Sequence, residues 1–198
     1  SIILTGAAGS IGRFITRQLL CEGARVMMTG RDISKLEEFV DSLCDDGFDR
    51  ENMVVTVGDC ADPEVCRRIV AETVEAFGTI DVLVNNAGAA GPKYTLRDIP
   101  FSDVEMKAAG SDQTMFDSAM NLLGAPWNMA RAAAPHMSVG ASIINVSTIF
   151  SRTHYFGRIP YLYSQFLKVC CSRHFHYLRI HIDIHLQLYL LNHHSFYH

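Results

Sequence analysis

Read as an alternation of apolar and polar positions, the chain breaks into short apolar runs separated by longer stretches of helical period. Ile2 to Thr5 reads as a strand, and Ile11, Phe14, Ile15, Leu19 and Leu20 then recur at the spacing of a helix that Gly23 ends. Arg25 to Thr29 is a second strand, and Asp32-Ile33-Ser34 caps a helix running toward Leu43. Met53 to Val57 is a third strand. Pro63 to Phe77 follows as a helix, with proline at its start and Gly78 at its end. Val82 to Asn85 predicts a fourth strand, a long helix runs from about Asp112 to Met137, and Ser142 to Val146 predicts a fifth strand. Strands alternating with helices predict βαβ units, hence an α/β domain on a parallel sheet. Ala89 to Ser111 is the one long irregular connection, and such connections at the carboxyl end of a sheet often shape a substrate pocket.

Composition narrows the class. The chain has 198 residues, 48% hydrophobic and 19% charged, enough for one substantial core. A formal charge of −4 without any Lys/Arg-rich block argues against nucleic acid as a partner. No apolar run reaches the roughly 18 residues needed to cross a bilayer, so no membrane partner is expected. The six cysteines (Cys21, Cys44, Cys60, Cys66, Cys170 and Cys171) follow neither a disulfide-scaffold density nor a metal-knuckle spacing. A reduced, cytoplasmic setting and no metal site are the expectation.

Both ends depart from this pattern. The chain enters the run Ile2-Ile3-Leu4 directly after Ser1, which reads as a cut inside the first strand. From Tyr161 to His198 there is no Gly, Pro or Ala, one acid (Asp183), seven of the nine histidines and five of the seven tyrosines. An α/β domain needs glycines for turns and helix caps throughout. Residues 1–161 therefore read as a dinucleotide-binding domain, and 162–198 as an aberrant His/Tyr/Leu-rich tail, out of frame or read through. A His-rich metal-binding tail is the competing reading, on His174, His176, His181 and His185, although no Cys or carboxylate pattern completes a site.

The candidate chemistry begins at Thr5-Gly6-Ala7-Ala8-Gly9-Ser10-Ile11-Gly12, between the first strand and the first helix. Binding a pyrophosphate there requires a tight turn, close backbone approach and close helix-on-strand packing. Gly6, Gly9 and Gly12 supply these, while Ser10 and Ile11 open a helix whose N–H groups and dipole favour an anion. This is the Rossmann-type, doubly wound arrangement. At the end of the second strand, Thr29-Gly30-Arg31 offers no carboxylate for an adenosine ribose and adds a guanidinium suited to phosphate, so NADP(H) is expected over NAD(H). Asp32 follows, but it reads better as a helix cap.

Together with the glycine turn, four further elements resemble the short-chain dehydrogenase/reductase family: Asp59 after the third strand, Asn85-Asn86-Ala87-Gly88 after the fourth, Asn121 in the long helix, and Asn145-Val146-Ser147-Thr148 after the fifth. The resemblance covers residues 1 to 160. It departs in its glycine spacing, which is even here where the family carries Thr-Gly-x-x-x-Gly-x-Gly. The stretches 85–92, 132–137 and 144–161 are similar to one member in particular, the N-terminal part of a bifunctional enzyme that reduces a small aldehyde with NADPH.

The resemblance implies roles. Tyr161 would give its phenol proton to a carbonyl, Thr148 (or Ser147 beside it) would polarise the carbonyl oxygen, and Asn121 would organise a water chain. Asp59 would face the adenine, and Asn86, Ala87 and Gly88 would support the ribose side of the cofactor. The family's Lys, four residues after the Tyr, is absent: Gln165 stands there and Lys168 lies three positions too late. A phenol with its ordinary pKa of about 10 needs that cation. The implied activity is therefore NADPH-dependent reduction of a small carbonyl substrate, in a copy expected to be inactive and to lack the final strands of the sheet. The alternative is a catalytically dead dinucleotide-binding module. The same resemblance implies either a homo-oligomer associating near the long helix or a place in a larger multidomain enzyme.

Overall fold

The computed structural model describes residues 1–88 and 115–148. Five parallel strands, β1 (Ile2–Thr5), β2 (Val26–Gly30), β3 (Met53–Val57), β4 (Ile80–Asn85) and β5 (Met137–Asn145), form one sheet in the order β3-β2-β1-β4-β5. Helices α1 (Ser10–Cys21), α2 (Ile33–Asp45), α3 (Pro63–Phe77) and α4 (Met115–Ala133) connect them. This is the expected doubly wound α/β architecture, with the strand order reversing between β1 and β4.

The apolar runs are continuous because both sheet faces are covered, and successive side chains point to opposite faces. Ile2, Leu4, Val26, Met28 and Val84 pack with Leu20, Leu36, Phe39, Val40 and Leu43 of α1 and α2. Ile3, Met27, Leu83 and Ile143 pack on the other face with Cys66, Ile69, Val70, Phe77, Met129 and Ala133 of α3 and α4. Asp32 caps α2 by accepting from the Lys35 backbone N–H at 3.2 Å, and Asp62 caps α3 by accepting from that of Glu64 at 2.8 Å. Gly78 closes α3 at φ +81°, in the left-handed region where a side chain is strained.

Several boundaries differ from the sequence reading. The second strand begins at Val26 and extends to Gly30, and the fourth begins at Ile80. The long helix ends at Ala133 rather than Met137: Pro135 cannot continue an α-helical ladder, and a 3-10 turn (Ala134–His136) leads directly into β5. That strand begins at Met137, five residues before the expected Ser142. Its first half is exposed, Gly140 has φ +95°, and the pairing with β4 shifts register between Ile80 and Val82. The regular half is buried at Ala141 and Ile143, whereas Val139 in the first half is 89% exposed. The inner line of α1 also differs from its apolar period. Gly12, Thr16 and Leu20 are buried, whereas Phe14 is 77% exposed and Ile11 38%. Close approach to the sheet selects small side chains there.

The irregular connection 89–111 and the tail 162–198, with Gln165, Lys168 and the four tail histidines, lie outside the described residues. Among the described residues no helix is long and apolar enough to cross a membrane.

Candidate functional site

The carboxyl ends of β1, β2, β3 and β4 open into a cleft of about 640 Å³. Its floor is the turn from β1 into α1, where Gly6 lies at φ +68°. A Cβ on Gly6 would stand 2.9 Å from Ala87 Cα, and one on Gly12 would collide with Gly6 O and lie 2.8 Å from Ala7 O. Gly9 tolerates more: a Cβ there would meet Gly6 O at 3.2 Å. Backbone crowding therefore explains two of the three glycines, and the third caps α1 with no side-chain partner for the first helical amides. Gly9, Ser10, Ile11 and Gly12 all line the cleft, placing this helix N-terminus beside it.

The turn is fastened to β4. Thr5 Oγ1 accepts from the backbone N–H groups of Asn86 and Ala87, each at 3.0 Å. The Asn86 side-chain amide donates back to Thr5 O at 3.0 Å and Gly6 O at 3.1 Å. Asn86 thus holds the shape of the glycine turn while lining the cleft with Ala87 and Gly88. Beside it, Asn85 donates from Nδ2 to Asn145 Oδ1 at 2.9 Å, joining the ends of β4 and β5. Sequence reasoning named Asn86 and missed Thr5, whose place one residue before the first glycine was the available signal.

At the other end of the cleft, Arg31 is exposed and, among the described residues, forms no ion pair. Asp32 beside it is engaged twice by Lys35, through the backbone N–H and through an Nζ–Oδ2 ion pair of 3.1 Å. The backbone and side-chain hydrogen bonds from Lys35 hold its carboxyl below the usual carboxylate range. Asp59 lines the cleft and accepts from Ala61 N at 3.0 Å. Cys60 also lines it but is nearly buried. Its hydrogen bonding with Cys66 and its burial push the thiol well above its ordinary pKa, so it stays protonated. Thr29 Oγ1, at the end of β2, is buried without a partner, a polar atom left unsatisfied on the cleft wall.

Asn121, on α4, reaches the same cleft from the far side with Leu122 and Ala125. Ser147 and Thr148 follow β5, where Val146 N donates to Asn85 O at 3.0 Å; they are not among the residues lining this cleft. Tyr161 lies outside the described residues. The structure thus brings Gly6, Gly9, Ser10, Ile11, Gly12, Arg31, Asp59, Asn86, Ala87, Gly88 and Asn121 to one cavity. A glycine cradle, uncapped helix amides, a cation without an ion pair and an orphaned hydroxyl fit an elongated phosphorylated ligand such as a dinucleotide.

A parallel sheet in this order with a cleft at its switch point defines a nucleotide-binding α/β protein. Residues 1–167 match the short chain dehydrogenase family, and the chain belongs to it. It is similar to the N-domain of a bacterial malonyl-CoA reductase solved with NADP, at 40% identity and a TM-score of 0.78, covering 87% of this chain and 33% of that one. It is also similar to a short chain dehydrogenase from Burkholderia cenocepacia J2315 in complex with NADP, at 25% identity and a TM-score of 0.73, covering 92% of this chain and 71% of that one. Among curated proteins, the 7alpha-hydroxysteroid dehydrogenase of Bacteroides fragilis is 31% identical over 151 residues, 75% of this chain and 53% of that protein. The chain spans about a third to three fifths of the length of the first curated relatives it matches, from 32% to 60%.

Proposed function

We propose that this chain carries the NADP(H)-binding part of a reductase acting on a small aldehyde. The observation that carries the reading is the end of the cleft at β2, where Arg31 is exposed and the neighbouring carboxylate, Asp32, is already engaged by Lys35. The likeness to an NADP-bound malonyl-CoA reductase domain supports both the cofactor and a short acyl-chain carbonyl as substrate. Gly9, Ser10, Ile11 and Gly12 would hold the pyrophosphate, Asp59 the adenine, and Asn86 to Gly88 the ribose side. When bound, the reduced nicotinamide supplies hydride.

The chain's own residues supply the proton and the orientation. Tyr161 gives its phenol proton to the carbonyl oxygen, Thr148 or Ser147 donates a hydrogen bond to that oxygen, and Asn121 orders the water that resupplies the phenol. A positioned general acid contributes about 10²–10⁴-fold. Gln165 in the place of a lysine removes the cation that would help the phenol give up its proton, so slow turnover by this sequence is the expected result. That one residue also favours the second reading, a dinucleotide-binding module without catalysis. A cytoplasmic setting and a place within a larger enzyme or a homo-oligomer complete the proposal.

The test is NADPH consumption with malonate semialdehyde by the full chain, its Gln165→Lys variant, and Gln165→Lys/Tyr161→Phe. Activity that rises on adding the lysine and vanishes with the phenol supports the reductase reading. NADPH binding with no turnover in any variant supports the binding module instead, and absence of NADPH binding refutes both.

A further inference from the structure

Lys35 is assigned no role by the resemblance or by the motifs, yet it lines the same end of the cleft as Arg31. Its ammonium is exposed, in the first turn of α2, and its only ion pair among the described residues is with Asp32 at 3.1 Å. Asp32 is at once the helix cap and a negative charge next to the expected position of a 2′-phosphate. Left alone, that carboxylate would repel the phosphate, as an acid at the end of β2 does in NAD-binding sites. Here the cap bond comes from a backbone N–H, which persists whatever the Lys35 side chain does. The ammonium is therefore free to serve two anions.

We infer that Lys35 is a specificity-determining residue, which cancels Asp32 in the free protein and joins Arg31 as the second cation on a 2′-phosphate when one is bound. The inference rests on the NADP(H) reading above. Arg31 and Lys35 against Asp32 leave one net positive charge at this end of the cleft, and removing the Lys35 ammonium takes it to zero. A 2′-hydroxyl gains nothing from this arrangement. The discrimination therefore lies in the adenosine half of the ligand and needs no nicotinamide.

The experiment measures calorimetric binding of 2′,5′-ADP and 5′-ADP to the full chain and to Lys35→Met, Lys35→Arg and Arg31→Ala. Methionine keeps the aliphatic stem and the backbone cap while removing the charge. The expected result is a preference for 2′,5′-ADP in the unmodified chain that falls about tenfold in Lys35→Met, the size of one charge-assisted contact. Lys35→Arg retains the preference, and added salt narrows it in the unmodified chain more than in Lys35→Met. If Arg31→Ala lowers the preference and Lys35→Met leaves it intact, this inference is wrong and the cofactor reading stands. If the unmodified chain does not distinguish the two ligands, the cofactor reading fails and the inference with it.

Discussion

Replacing Gly12 by alanine puts one methyl group where the fold has no room. The added Cβ would collide with Gly6 O and stand 2.8 Å from Ala7 O and 2.9 Å from Ala7 C. All three are backbone atoms, so no side chain can rotate aside, and either α1 must slide along the sheet or the turn must open. Overpacking of this kind costs typically 1–3 kcal/mol and occasionally more; with three backbone contacts at once, about 3 kcal/mol is expected. For a domain of this size that lowers Tm by roughly 6–12 °C. NADPH affinity should fall by about tenfold or more, because the same turn presents the amides beside the cleft. Gly9→Ala is the internal control. Its Cβ would meet only Gly6 O, at 3.2 Å, and its φ of −74° is ordinary, so it should cost less than about 1 kcal/mol. Thermal unfolding of both variants, with and without NADPH, measures the two effects. Equal Tm losses in the two variants, or an unaltered Gly12→Ala, would refute the crowding argument.

Three other outcomes follow from the geometry. Thr5→Val keeps the volume but takes the Oγ1 acceptor from the Ala87 amide and from the Asn86 amide, which still donates to Val84 O at 3.1 Å; it should cost about 1–2 kcal/mol in urea unfolding, and Thr5→Ser should recover most of it. The folded Asp32 carboxyl titrates below its unfolded value, so its contribution is complete above about pH 4 and is lost as pH falls through the lower folded value; urea midpoints should show a steeper acid decline in the unmodified chain than in Asp32→Asn. Cys60, held protonated by its hydrogen bonding with Cys66 and by burial, should resist alkylation under mildly alkaline conditions that label the exposed Cys21, as peptide mass mapping would read.

The layer arrangement of this domain was legible from its sequence because local rules govern it. The apolar runs at 2–5, 26–29 and 53–57, the proline and glycine bounding α3, and the Asp32 cap each act within a few residues, and each appears in the structure. The glycine turn was legible for the same reason: Gly6, Gly9 and Gly12 answer to constraints inside one eight-residue loop. Tertiary structure decided what depends on residues far apart in the chain. Thr5 and Asn86 are 81 positions apart, and only the pairing of β1 with β4 turns a threonine and an asparagine into a latch on the cofactor turn. The same holds for Asn85 and Asn145, joined across 60 positions at the ends of β4 and β5. Periodicity misjudged the inner face of α1, because the close approach set by Gly12 favours Thr16 over Phe14, and it missed the first half of β5, where Ser138, Val139 and Gly140 are exposed and only Met137 packs against the core. The sign of the charge beside Arg31 also needed the fold. Asp32 and Lys35 are neighbours in sequence, but only their position on the cleft wall makes their ion pair bear on which dinucleotide the chain can hold.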